Sequence, residues 1–431
     1  MAAAAPPTLE GFDPFAPAYL QDPQAALQDA LRETPVFHHE PLRCFVVLRY
    51  ADVRRVLSDS ETFSADAFKA MPVPARLRER IPASLSRAGE LVIGGQLLNM
   101  DPPGHTRERK TAQRTFTRPR IEATMPRIEQ IAHELIDGVI EAGSCDILQD
   151  FAYQLTLRVV GELLGLPDEV LPGFHAWIGD VFGLMAPIDL DAEAVTTPDD
   201  ELVAAYTRMH GAYETYLELV RERRRDPGDD LASAMLTLHD ADGTPLLSDD
   251  AVLAHMVGIT AAGTDTTANL IAGMVRFFTR DPAALDAVRR DPALWENAVE
   301  EGLRRSSISP HLFRFTRRPT EVCGVTIPAG RMVCACTASA NADPRQFADP
   351  LTFDPRRANA REHLGLGVGR HFCLGAPLAR PQARAALRAL YGRMPDLVAD
   401  LDGELEFVPA LTTRVVVSQR VAWTVARGSA S

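Results

Sequence analysis

Three short stretches of this chain carry residue types whose spacing could do chemistry. The first is LGLGVGRHFCLG, residues 364–375, where Gly365, Gly367 and Gly369 alternate ahead of one cysteine, Cys373, and Gly375 follows it. Glycine accepts positive φ and lets other atoms approach the backbone, so such a run suits a tight loop pressed against something flat. The alanine- and leucine-rich segment after it predicts a helix, which sets Cys373 just before a helix N-terminus, where free N–H groups and the dipole favour a thiolate. A thiolate on a loop open on one side is a ligand for iron, whereas most lone cysteines are packing residues. The second stretch is AAGTDTT, residues 261–267, in the middle of a helical pattern running from Ser248 to about Arg280. Glycine, threonine and aspartate all weaken a helix interior, and a sequence that concentrates them at one point is more often serving a site than a core. The third is His105 with Arg109, four apart and so on one helix face.

Together these stretches resemble the cytochrome P-450 family, the haem-thiolate monooxygenases. Gly367, Gly369, His371, Cys373 and Gly375 match that family's cysteine-loop spacing, and Leu366 stands where the family usually has phenylalanine. The resemblance implies haem b (iron protoporphyrin IX) with Cys373 as its axial iron ligand, and Gly367 and His371 belonging to the cofactor-binding loop. It implies that His105, Arg109 and Arg314 hold the haem propionates. It further implies that Ala262 and Gly263 leave room for O2 over the iron, that Thr266 offers it a hydroxyl, and that Asp265 relays protons from solvent. A hydroxyl beside a carboxylate can deliver protons without ligating the metal. Glu301, Arg304 and Arg357, matching Glu-x-x-Arg and Phe-Asp-x-x-Arg, are expected as a structural ion-pair network. Ile308, His311, Leu312 and Thr412 are expected along the substrate pocket, and Phe174, Trp177, Ile178, Phe182, Leu184 and Met185 in its roof.

The elements that must position these groups are legible in outline. Asp22-Pro23 starts a short helix, 44–49 is a strand, 51–59 a helix, and Ser60–Gly104 a long connection that by resemblance admits substrate. Helices are expected over 121–142, 150–165, 168–186, 199–225 and 248–280. Short strands follow around 308–336, with Cys334 and Cys336 as packing residues on one face, and the alternating stretch 406–425 predicts edge strands. The implied fold is mainly α with small β-sheets: a flexible tail over 1–20, then one large domain over 21–431.

At the scale of the chain, 431 residues with 46% hydrophobic content suffice for a large core. The net charge of −13 speaks against wholesale binding to nucleic acid or anionic membrane. The N-terminus shows neither a signal peptide nor an anchor, and six scattered cysteines fit reduced thiols in a cytoplasm. Against that negative total, Arg107, Lys110, Arg114, Arg118 and Arg120 crowd one segment and, with Arg361 and Arg370, suggest docking of an acidic partner. The functional expectation is insertion of one oxygen atom from O2 into a small, largely apolar substrate. Electrons would come from a separate ferredoxin or flavodoxin and its NAD(P)H reductase. A peroxide-using or non-oxygenating haem-thiolate enzyme and a haem-binding gas sensor are the other two readings; Asp265 and Thr266 speak against the first.

Overall fold

A computed structural model describes residues 6–66, 80, 97–174, 177, 178 and 198–425. Most of the expected lid region, including Phe182, Leu184 and Met185, lies outside the described residues.

Helices supply most of the architecture. The longest is Asp249–Arg280, entered through Ser248, whose side chain accepts from Ala251 N at 3.2 Å, with Asp249 and Asp250 in the first turn. Acidic groups there complement the helix dipole. It ends at Asp281, whose carboxylate caps the next helix by accepting from Ala283 and Ala284. Around this helix pack Tyr153–Leu164, Asp199–Arg225 and Ala376–Arg393, and their buried aliphatic and aromatic faces form the largest apolar cluster.

Among the described residues the strands make three small sheets. In chain order they are β1 (Val36–His39), β2 (Cys44–Val47), β3 (Phe63–Ser64), β4 (Ser144–Asp146), β5 (His311–Thr316), β6 (Thr320–Val322), β7 (Val325–Ile327), β8 (Met332–Cys336), β9 (Val398–Ala399) and β10 (Arg420–Ala422). The largest sheet has the order β1-β2-β8-β5-β3, with β2 and β8 parallel. Cys334 and Cys336 are buried on β8. In the three-stranded sheet β10 sits between β4 and β9, so the expectation of an edge strand there is corrected. Val421 pairs with Cys145 on one side and Ala399 on the other, using a strand from each end of a long sequence separation that alternation alone cannot reveal.

The expectation of a flexible tail over residues 1–20 is corrected for its described part. Pro17–Gln21 is helical, Tyr19 is buried, and Phe12 packs edge-on against Tyr19 and Phe37. His38 N donates to Pro7 O at 2.7 Å. Apolar side chains at 9, 12, 15 and 19 find a second core cluster, which a Pro/Ala-rich reading overlooked.

Candidate functional site

The cysteine loop is built as a chain of close approaches. A Cβ on Gly365 would lie 2.6 Å from Leu303 O, and Gly367 has φ +70°, so both positions need glycine. Cys373 N donates to Leu366 O at 2.9 Å, which draws the loop back on itself beneath the sulfur. Helix Ala376–Arg393 follows, capped at Gly375. Burial pushes the Cys373 thiol up, while the backbone N–H groups of Gly375 and Ala376, then Arg109 and Arg380, pull against it. The N–H groups at the helix start favour the thiolate, and burial opposes them. Burial outweighs the helix end, and a bound cation is what deprotonates a sulfur in such a place.

The loop is fastened by two buried ionic clusters. Glu301 and Arg304 on helix Leu294–Arg305 are both 0% exposed, with Arg304 Nε and Nη2 on the two carboxylate oxygens at 2.8 and 2.7 Å. Arg357 Nε adds 3.0 Å to Glu301 Oε1, and Arg304 Nη1 donates to the carbonyls of Asn341 and Pro350. The second cluster was missed in the sequence. Glu300 receives Arg380 Nε at 2.6 Å and His363 Nε2 at 3.1 Å. Because His363 Nδ1 accepts from Gly365 N, its proton sits on Nε2 and is donated to the carboxylate. Burial raises the Glu300 carboxyl, but the hydrogen bonds from His363 and Arg380 outweigh it and hold it down to about 2. Only the adjacency Glu300-Glu301 hinted at this pair, and its partners lie 63 and 80 residues away.

Beside the cysteine stands a group of donors with too few acceptors. His105, 2% exposed on helix Gly104–Thr115, has among the described residues a hydrogen-bond partner at neither ring nitrogen, and Arg109 Nε is also buried without one there. The His105 ring lies 4.2 Å from that of His371, tilted by 42°. Arg314, buried on β5, donates to Phe313 O at 2.7 Å. Burial pushes its guanidinium down to about 10, and burial with Arg314 and His105 pushes His371 down to about 3. Asp101 is the acid among them, but it is already taken by Arg317 and by Ser64 and Ala65. Desolvated donors in such excess call for a carboxylate ligand.

Helix 249–280 shows the complementary feature. Among its buried residues Ala262 is exposed and Gly258, Ile259, Gly263 and Thr266 are half-buried. These recur every three to four residues, so they form one open stripe on an otherwise enclosed helix. A Cβ on Gly263 would meet Val160 Cγ2 at 3.1 Å, so this glycine also lets helix 153–164 come close. Thr266 Oγ1 donates to Ala262 O at 2.5 Å. Asp265 is 5% exposed, its Oδ1 has no partner among the described residues, and burial pushes its carboxyl up to about 7.

The expected pocket residues separate. His311 is corrected as a substrate contact: its Nε2 meets Tyr19 OH at 2.7 Å and its Nδ1 meets Leu411 O at 2.8 Å, leaving no ring nitrogen for a ligand. Ile308 lines a cavity of its own, remote in composition from the His105 cluster. Leu312 is half-buried against the apolar cluster of β1, β2 and β8, and Thr412 keeps a buried hydroxyl without a partner. Phe174, Trp177 and Ile178 are buried in the main core.

These features coincide with what comparison with known proteins finds. The Cytochrome P-450 family model matches residues 37–391, and the chain belongs to that family. It is 37% identical over 342 residues to the cytochrome P-450 monooxygenase PikC of Streptomyces venezuelae, covering 78% of this chain and 77% of that one. It is 35% identical over 365 residues to 6-deoxyerythronolide B hydroxylase of Saccharopolyspora erythraea, covering 84% and 85%. Among solved structures, the P-450 BioI in complex with hexadec-9Z-enoic acid ligated acyl carrier protein superposes with TM-score 0.82 at 26% identity, covering 94% and 99%. The protein is therefore an oxidoreductase of the P-450 monooxygenase family whose cofactor is haem b. The residues present fit that group. Unpartnered donors at His105 and Arg109 suit its propionates, the open stripe on helix 249–280 suits a flat macrocycle, and the Cys373 sulfur, whose thiol burial pushes up, is a donor that a metal would deprotonate. Among the described residues no helix is long and apolar enough to cross a membrane.

Proposed function

We propose that this chain hydroxylates a small, largely apolar organic substrate in the cytoplasm, with electrons from a separate ferredoxin or flavodoxin and its NAD(P)H reductase. The observation that carries the reading is Asp265: a buried carboxyl with a free oxygen, next to a threonine on the open stripe of the longest helix. Relatives named for hydroxylating 6-deoxyerythronolide B, erythromycin and vitamin D3 support a hydroxylated, carbon-rich substrate.

The haem, when bound, supplies the redox chemistry that activates O2. The chain's own residues do the rest. Cys373 would be the sulfur ligand to the iron, and Leu366, whose carbonyl accepts from Cys373 N, would help set how well that sulfur is shielded. His105, Arg109 and Arg314 would bind and orient the cofactor's carboxylates. Thr266 turns its hydroxyl from Ala262 O toward the stripe and offers a proton there. Asp265, protonated in part near neutral pH, restores that proton from solvent. Glu300 and Glu301 keep the cysteine loop in register. Arg107, Lys110 and Arg114, exposed on one helix stripe, receive the acidic electron donor.

The test is turnover. Purified holoprotein with NADH, O2 and a ferredoxin–reductase pair should convert a compound that shifts its Soret band into a product heavier by one oxygen. Spin-shifting ligands that never yield product with any supplied donor would overturn the reading.

A further inference from the structure

Between the N-terminal helices, the C-terminal half of helix 249–280 and the stretch 405–419 lies a cavity of about 60 Å³. On that measure one water needs about 10–15 Å³, so the space suits roughly four or five waters or a single tetrahedral oxyanion. Its wall holds Arg276, Arg280, Arg305 and Arg414 against one carboxylate, that of Asp22. Asp22 is already committed: Oδ1 caps the helix Pro23–Ala26 by accepting from Gln24 and Ala25, and Oδ2 stands 3.7 Å from Arg305.

Arg276 and Arg305 are enclosed and only partly satisfied, and Arg280 stands at the cavity's exposed edge. Arg305 has a side chain 8% exposed; its Nη1 donates to Gln24 Oε1, but its Nε finds no hydrogen-bond partner among the described residues. Ser306, next in the chain and 6% exposed, has a hydroxyl in the same condition. Arg276 reaches one carbonyl, Asp400 O at 3.2 Å, and Arg280 makes no hydrogen bond or ion pair among the described residues. Arg414 is spent on the carbonyls of Leu20, Gln21 and Ser306. Burial, and then Arg280, presses the Arg276 guanidinium down; burial does the same to Arg305. Like charges gathered in a desolvated space are costly unless an opposite charge joins them.

We propose that this cavity binds a small tetrahedral oxyanion of the phosphate or sulfate class, taken by Arg305 and Ser306 and surrounded by Arg276, Arg280 and Arg414. Guanidinium forks match such oxygens in geometry as well as charge. The site shares no residue with the His105, Arg109, Arg314 and Cys373 cluster, so it stands independently of the proposed reaction. Arg414 ties the cavity wall to the N-terminal segment, since its N donates to Ile308 O at 2.7 Å and its side chain holds Leu20 and Gln21.

The experiment titrates ferric holoprotein with inorganic phosphate, and separately sulfate, against chloride at fixed pH and ionic strength, by calorimetry and thermal unfolding. A saturable phosphate stoichiometry near one with a rise in Tm is expected. Arg280→Gln, at an exposed position, and Ser306→Ala should each weaken phosphate binding, and Arg305→Gln by about tenfold or more. Absence of saturable binding, or Arg280→Gln and Ser306→Ala titrating like the parent, would overturn the proposal. Glycerol phosphate is the arm that separates sources. Binding comparable to phosphate supports a phosphoryl group of a larger ligand, and exclusion with phosphate still bound supports the free anion.

Discussion

Asp265 and Thr266 are adjacent yet live in different environments. The carboxyl is buried and raised to about 7; the hydroxyl lies on the open stripe. Replacing Thr266 with alanine should leave substrate binding intact and divert reducing equivalents to hydrogen peroxide, read as peroxide formed per NADH consumed. Replacing Asp265 with asparagine should slow turnover by roughly 10²-fold, in the range of a lost proton donor. It should also flatten the pH dependence of kcat around 7. Stability has a definite sign here too. The folded carboxyl keeps its proton up to about 7 while the unfolded one releases it at 3.8, so stability falls as pH rises between those values. Chemical denaturation of the Asp265→Asn variant should lack that decline.

At the scale of elements, the cysteine loop depends on helix Leu294–Arg305, which sends one carboxylate to each side of it. Glu300 ties His363 and Arg380; Glu301 ties Arg304 and Arg357. With Glu300 held down to about 2 against 4.5 when unfolded, its stabilisation is complete above pH 4.5 and is lost as pH falls toward 2. Glu300→Gln should therefore cost roughly 2–3 kcal/mol at neutral pH and remove part of the acid sensitivity. Thermal melts of the holoprotein across pH 3–7 check this. Haem release on acidification, followed at the Soret band, should begin at a higher pH in the variant than in the parent.

The whole molecule carries a net charge of −13, yet one exposed helix stripe is basic. Arg118 is engaged with Glu122 and Arg120 with Asp229, whereas Arg107, Lys110 and Arg114 are exposed and form no ion pair among the described residues. Arg370, beside Cys373, is close enough to His105 to act on it electrostatically. Arg114→Glu should thus slow reduction by an acidic ferredoxin markedly more than Arg118→Glu. The gap should narrow as salt rises, since rim charges act mainly on encounter; stopped-flow reduction at two ionic strengths measures it.

Local chemistry was what the sequence itself determined. The glycine-spaced Cys373, the weak centre at 261–267 and the start of its helix at Ser248 are each written within a dozen residues, so spacing alone announces them. Tertiary structure decided whatever depends on partners far along the chain. Glu300 meets His363 and Arg380, His311 is claimed by Tyr19, and β10 is inserted between β4 and β9 only after folding. It also decided how deeply Cys373 is desolvated, because desolvation is a property of the packed surroundings and no reading of neighbours in sequence can weigh it.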